Sequence, residues 1–381
     1  MTIDNVPRVS IVVSHPIQYF TPLFNALSKF DSFELDVVYG NDAGVRSQYD
    51  PGFDLNHSWD IDLVSGHSHR FISQGDVSRL RLGVLSLYGL FKVTRGRDLV
   101  VIHGYTEPVS IAAVLVCWVL RVPYLLRMDT SERAKHPWFS LRSWWPRLVA
   151  RLAHGGLAVG QRNMSVLRGL GVRDPKLVRF AIDDARFRQA RVVDGANRRI
   201  VRETLGLPAD AVLVVYAGKF VQLKGVHDLL AAVAELDVHL VCIGDGVEMS
   251  AMRDSAPRGK VTFTGFKNQT EIPAYLGVAD VVVLPSHYEP WGLIINEAMA
   301  AGCVPVTSDA VGCSPDLVEG VGWVHRPGDV DGLRVALQNA TKSVGSADVA
   351  RRVSERVAIF SLRNSVADFE LALVGYLGAR D

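Results

Sequence analysis

Two carboxylates eight positions apart, Glu289 and Glu297, stand on either side of Gly292 in the stretch HYEPWGLIINEAMAAG, residues 287–302. Residues 293–301 read as a short helix of apolar and small residues in which Glu297 is the one carboxylate, and Gly302 ends it. The apolar run VVVLP (281–285) ahead of it and CVPVTSD (303–309) behind it read as buried parallel strands. The helix therefore opens where a strand's carboxyl end stops, and the amides of Gly292, Leu293 and Ile294 suit a phosphate. A rise of 1.5 Å per residue puts Glu297 only about 7–8 Å along the axis from Gly292. Both acids can then face one ligand whose anionic part rests on the helix start. Carboxylates beside a phosphate make sense when they grip neutral hydroxyls, and sugars supply those. A buried helix with a satisfied Glu297 and a surface Glu289 fits the spacing equally well.

Other groups must be delivered to the same edge by other strands. VLVVYAGKF (212–220) reads as a strand that hands over Gly218 and Lys219, with Lys224 across the turn GKFVQLKG. VHLVCIGDG (238–246) is a strand and glycine turn, but Met249 breaks the three-glycine dinucleotide fingerprint, which argues against a nicotinamide enzyme. KVTFTGF (260–266) is a further strand ending at Phe266. In the first half, RVSIVV (8–13) is a strand followed by a turn that carries His15 and Gln18 into a helix ending at Leu27, and residues 33–40 form the next strand. Strands over 98–103 and 123–129, joined by a helix over 108–120, bring His103 and Asp129 to one carboxyl edge. Asp129 is also placed to cap a helix opening near residues 131–133. Residues 77–93 predict an amphipathic helix with Leu80, Val84, Leu87 and Phe91 on its apolar stripe. Residues 41–71 are polar and poorly periodic, and a loop of that length is usually functional or disordered.

The chain has 381 residues, 48% of them hydrophobic, with a formal charge of +1, which suits a globular protein of two ordinary domains. The charge is uneven: residues 1–69 carry net −6, residues 70–190 net +12 and residues 191–381 net −5. A basic middle block points to an anionic partner. Within it, residues 131–156 place Trp138, Phe139, Trp144 and Trp145 among Arg133, Lys135, Arg142, Arg147 and Arg151. Rings with cations suit an anionic membrane surface along Arg133 to Arg151; nucleic acid is a minor alternative, and a core helix with a solvated Arg face fits as well. Cys117, Cys242, Cys303 and Cys313 are scattered without zinc or disulfide spacing, which suggests a reducing compartment. No signal peptide is read at the N-terminus, and the most apolar stretch, 109–120, is too short to span a bilayer.

The E-x7-E pair followed by AMAAGCVPV resembles the donor-site signature of the retaining glycosyltransferases of family four. The resemblance is close over residues 212–329 and looser before them. It implies the GT-B architecture, an α/β fold of two doubly wound, Rossmann-like parallel-sheet domains facing a cleft. Their expected extents are 1–190 for acceptor binding and 191–360 for nucleotide-sugar binding, with 361–381 a last helix crossing back to the first domain. By the same resemblance Glu289 contacts the transferred sugar and Glu297 holds the ribose hydroxyls. Gly218, Lys219, Lys224, Gly292, Leu293 and Ile294 meet the diphosphate, and Phe266 lies against the base. His103 and Asp129 face the donor sugar, although a His is commoner where Asp129 stands. His15 and Gln18 replace the family's Gly-rich loop on the acceptor side, and acceptor recognition extends to residues 41–71.

The implied activity is transfer of a sugar, with retained anomeric configuration, from a nucleotide diphosphate sugar to a glycan, lipid-linked or small-molecule acceptor. No metal and no cofactor beyond the donor is expected. The expected location is cytoplasmic, peripheral on the inner face of the membrane, with no nucleic-acid partner. The alternative is a catalytically inactive nucleotide-binding or membrane-adaptor protein on the same fold, which could dispense with Glu289.

Overall fold

The computed structural model describes residues 6–50, 52–73, 84–129, 144–192 and 195–378. The chain divides into two compact units. One comprises Met1–Gln48, Ile61–Phe180 and Leu362–Asp381; the other comprises Tyr49–Asp60 and Ala181–Ser361.

The strands of the first half are β1 (Arg8–Val13), β2 (Glu34–Tyr39), β3 (Gln48–Asp50), β4 (Leu55–His57), β5 (His69–Phe71), β6 (Leu99–His103), β7 (Tyr124–Met128), β8 (Gly155–Ala158) and β9 (Lys176–Leu177). Those of the second half are β10 (Leu213–Ala217), β11 (His239–Ile243), β12 (Val261–Gly265), β13 (Val281–Leu284), β14 (Val304–Ser308) and β15 (Trp323–His325). The first unit holds a seven-stranded sheet in the order β5-β2-β1-β6-β7-β8-β9, and the second a six-stranded sheet in the order β12-β11-β10-β13-β14-β15. All pairings in both sheets are parallel. β3 and β4 form a separate two-stranded sheet. The continuous apolar runs suit strands buried on both faces, and Val281, Val282 and Val283 are wholly buried.

In each sheet the strand order reverses at one place, between β1 and β6 in the first and between β10 and β13 in the second. Chain leaving the carboxyl ends of the two central strands turns to opposite faces there, which leaves a crevice suited to a ligand. His15 and Gln18 follow β1 and His103 ends β6. Lys219 follows β10, while Glu289 and Gly292 follow β13.

One face of the first sheet packs Val12, Val100, Ile102, Leu126 and Met128 against the helix Pro108–Leu120. The other buries Arg127 among the rings of Phe20, Phe180 and Phe369, 5.1–5.7 Å from each centroid. Phe369 belongs to the last helix, Leu362–Gly378, whose Asp368 accepts through both carboxylate oxygens from Arg179 Nη1. In the second unit, buried Asp280 accepts from Arg198, Arg202 and the Leu213 amide, tying the helix Gly195–Thr204 to the sheet.

Two sequence expectations are corrected. Residues 41–71 are not one irregular loop: β3, β4 and β5 lie within them, and β5 extends the sheet beside β2. The helix of 77–93 is described over Val84–Thr94, where Leu90, Val93 and Thr94 are buried while Leu87 and Phe91 are exposed. The face that packs on the helix Pro108–Leu120 lies one helical step from the expected stripe. A further helix, Ala347–Ile359, opens with Ser346 accepting from the Val349 amide, a cap that the sequence reading passed over. Residues 130–143, which hold Trp138, Phe139, Arg133, Lys135, Arg142 and the helix start expected near 131–133, lie outside the described residues.

Candidate active site

The carboxyl edge of the second sheet gathers the charged groups. The helix Leu293–Ala300 opens behind Gly292, which adopts φ +94°. A side chain there would strain the backbone, and a Cβ would sit 2.8 Å from Leu284. The first-turn amides of Leu293 and Ile294 have no intrahelical acceptor, so this end of the helix favours an anion. Trp291, buried, donates through Nε1 to Asn296 at 3.0 Å and fixes the entry angle. The sequence reading missed both residues, although a Trp directly before a helix-opening glycine is a visible packing signal.

Lys224 ends the short 3-10 turn Gln222–Lys224 and reaches across to donate to Glu289 Oε2 at 2.5 Å. The turn is held against the chain after β13. Gly225 (φ +67°) brings its backbone so close to the Pro285 carbonyl that a Cβ would lie 2.5 Å away. The His287 amide donates to the Leu223 carbonyl at 2.9 Å, and the His287 ring meets Asp228 at 2.7 Å. Lys224 and Glu289 are each about four-fifths buried, so the pair holds its charges in a partly desolvated place. Lys219 lies on the loop after β10 and pairs with Asp50, both of whose carboxylate oxygens stand 2.9 Å from Nζ. Gly218 precedes it and donates its amide to the Ile243 carbonyl.

Glu297 is 1% exposed, and burial pushes its carboxyl up to about 8 against the pull of Arg186. Burial therefore favours its protonated form in the free protein. Phe266, after β12, meets Phe53 edge-on at 5.1 Å and the His57 ring at 4.9 Å. Asp50, Phe53 and His57 come from the Tyr49–Asp60 segment, which belongs to the second unit. The expected extent of the first domain, 1–190, includes this segment. Nothing in the sequence of residues 49–60 shows which unit they join.

At the first sheet's carboxyl edge, His103 and Asp129 end adjacent strands, with His103 Nε2 3.8 Å from Asp129 Oδ2. Desolvation opposes ionisation of Asp129, but the His103 ring, its own amide and Arg127 outweigh it and hold its carboxyl below the usual value. Phe20 packs on the His103 ring at 4.8 Å. His15 bonds to Ser14 Oγ at 3.0 Å and burial lowers its pKa; Gln18 is buried beside it in sequence. All four cysteines are buried and free. Among the described residues no three His, Cys, Asp or Glu side chains converge as a metal site would require, and no helix is long and apolar enough to cross a membrane.

Residues 197–354 match the family model described as glycosyl transferases group 1. The glycogen synthase of Mycobacterium tuberculosis is 29% identical over 276 residues, covering 67% of this chain and 63% of that protein. A lipopolysaccharide core biosynthesis glycosyltransferase, LpsE of Rhizobium meliloti, is 35% identical over 192 residues, 48% of this chain and 51% of that one. The chain thus spans between about half and two thirds of the length of these relatives. Among solved structures, sucrose-phosphate synthase from Thermosynechococcus elongatus superposes with a TM-score of 0.73 over 98% of this chain and 100% of the other, at 20% identity. Anabaena HepE in complex with UDP and glucose gives a TM-score of 0.73 over 97% and 100%, at 17% identity. With its two parallel α/β sheets the chain takes the GT-B fold, and within it residues 197–354 are similar to the group 1 glycosyl transferases.

Proposed function

We propose that this protein is a retaining glycosyltransferase that moves a sugar from a nucleotide diphosphate sugar to an acceptor hydroxyl. The observation that carries the reading is that Lys219 and Lys224 follow β10 while Glu289, Gly292 and buried Glu297 follow the adjacent β13, at the switch point of the second sheet, with Lys224 paired to Glu289. Two ammonium groups and a helix N-terminus, rather than a metal ion, neutralise the leaving diphosphate, whose charge grows as the glycosidic bond breaks. A Lys at position 219 gives point charge without the fork of an Arg. Glu289, which pairs with Lys224, is assigned to the transferred sugar, and Glu297 to the ribose. The acceptor oxygen bonds to the anomeric carbon on the face the phosphate leaves, and the acceptor proton passes to a phosphate oxygen. His103 and Asp129 are assigned to the same reaction, where a carboxylate favours positive charge developing at the anomeric carbon. Anabaena HepE, solved with UDP and glucose, supports a nucleotide donor of this kind.

The acceptor is assigned to a glycan or a lipid-linked chain met at an anionic membrane surface. Trp144, 70% exposed, and exposed Leu152 and Arg151 on the helix Trp144–Leu152 support this, as do relatives named for lipopolysaccharide core synthesis.

A thermal-shift panel of UDP, GDP, ADP and dTDP tests the donor assignment. A nucleotide at 100 times its Kd should add about 2.7 kcal/mol of stability. With the nucleotide that shifts most, Glu297→Ala should weaken calorimetric binding, while Glu289→Ala spares binding and removes turnover. Equal losses of affinity in the two variants would overturn this division of roles.

A further inference from the structure

The Tyr49–Asp60 segment leaves the first unit at Gln48, joins the second unit, and returns at Ile61. Its contacts fall on two residues given to the donor. Asp50 sets both carboxylate oxygens on Lys219, and its Oδ1 also accepts from the amides of Gly52 at 2.7 Å and Phe53 at 3.3 Å. That closed turn presents the Phe53 ring to Phe266, with Lys219 Nζ 5.0 Å from the Phe53 centroid. Gly52 lies flat on the lysine stem, where a Cβ would stand 2.5 Å from Lys219 Cδ. The far end is fastened as well: Asn268 Nδ2 donates to the Ser58 carbonyl at 2.8 Å, and Asp60 accepts from the amide and hydroxyl of Thr270. His57 and Trp59 complete the ring cluster around Phe266.

An anion on the phosphate lysine and an aromatic ring on the base residue, three positions apart, reproduce the two halves of a nucleotide. We infer that Tyr49–Asp60 is a strap that occupies the donor site as an intramolecular stand-in, and that the nucleotide diphosphate displaces it. The inference rests on the assignment of Lys219 and Phe266 to the donor. A diphosphate carries more charge than one carboxylate and cannot share the ammonium with it without repulsion. The pair is also easily given up, since Lys219 and Asp50 are 38% and 24% exposed and water screens them. Asp60, the Ser58 carbonyl and their partners lie outside the exchanged contacts, so the strap swings on a retained anchor.

Hydrogen exchange on the full chain, with and without the nucleoside diphosphate chosen by the panel above, reads the motion directly. Amides 52–57 should exchange faster with nucleotide bound; slower exchange would mean the strap closes over the base, and would overturn displacement. In calorimetry Asp50→Asn, which keeps the turn and removes the charge, should bind the same nucleotide about two- to fivefold tighter, the worth of a partly exposed ion pair. Paired with Lys219→Met, the Asp50→Asn gain should vanish. Unchanged or weaker binding by Asp50→Asn, where Lys219→Met alone weakens it, overturns the strap and leaves the donor assignment standing. Unchanged binding in Lys219→Met overturns the donor assignment itself, and the strap with it.

Discussion

Replacing Glu297 by Gln keeps the shape of the side chain and removes its titration. In the folded protein burial raises this carboxyl from 4.5 to about 8. The native state therefore holds the proton more tightly than the unfolded chain does. For a group shifted in this direction, stability is fully present below the unfolded value and is lost as pH rises through the folded one. Worked between pH 5.5 and 8.5 with these two values, the loss comes to about 3 kcal/mol. Nearly all of it is native-state desolvation, because Glu297 is 1% exposed and its opposing partner, Arg186, only trims the shift. Urea unfolding of wild type and Glu297→Gln at several pH values isolates the term, since every other titrating group cancels in the difference. Wild type should hold its own or lead at pH 5.5 and fall behind the variant by several kcal/mol relative to that position at pH 8.5. Parallel curves across the range would show that Glu297 ionises normally where it stands, and the account of its burial would be wrong.

Two further outcomes are expected. Asp129→Asn should lower turnover about tenfold or more, about 1.4 kcal/mol of barrier, with the melting temperature nearly unchanged, because Asn caps and packs much as Asp does; unchanged turnover would leave His103 as the first unit's contribution. The protein should co-sediment with anionic vesicles at low salt and release as salt rises and the Debye length shortens; no binding at low salt would point to a soluble acceptor.

The second unit was legible in the sequence because its signals are local. Apolar runs, a glycine that stops a helix and the strand–loop–helix order from 281 to 309 each fix a neighbour a few residues away, and the helix Leu293–Ala300 opens behind Gly292 as the spacing predicts. The helix Pro108–Leu120 and β1 were readable for the same reason. What escaped was long-range pairing. Asp50 meets Lys219 across 169 positions, and Lys224 meets Glu289 across 65. No periodicity records such contacts. The buried Arg127 escaped for a related reason. On its own strand it reads as an exposed break in an apolar run, and only Phe20, Phe180 and Phe369, from three distant elements, make its burial tolerable.

The chain passes between the units four times, after residues 48, 60, 180 and 361. This has a consequence for how the protein can be taken apart or recombined. A fragment ending at Phe180 would lack the helix Leu362–Gly378, leaving Arg179 without Asp368 and the Arg127 cage without Phe369. A fragment from Ala181 to Ser361 is contiguous, but it would leave behind Asp50 and the rings that surround Phe266. Grafting a foreign second unit onto this first half at a single junction would therefore leave Asp50 without Lys219. A working chimera needs residues 49–60 and the matching second unit to travel together, so the heritable module here is discontinuous in sequence.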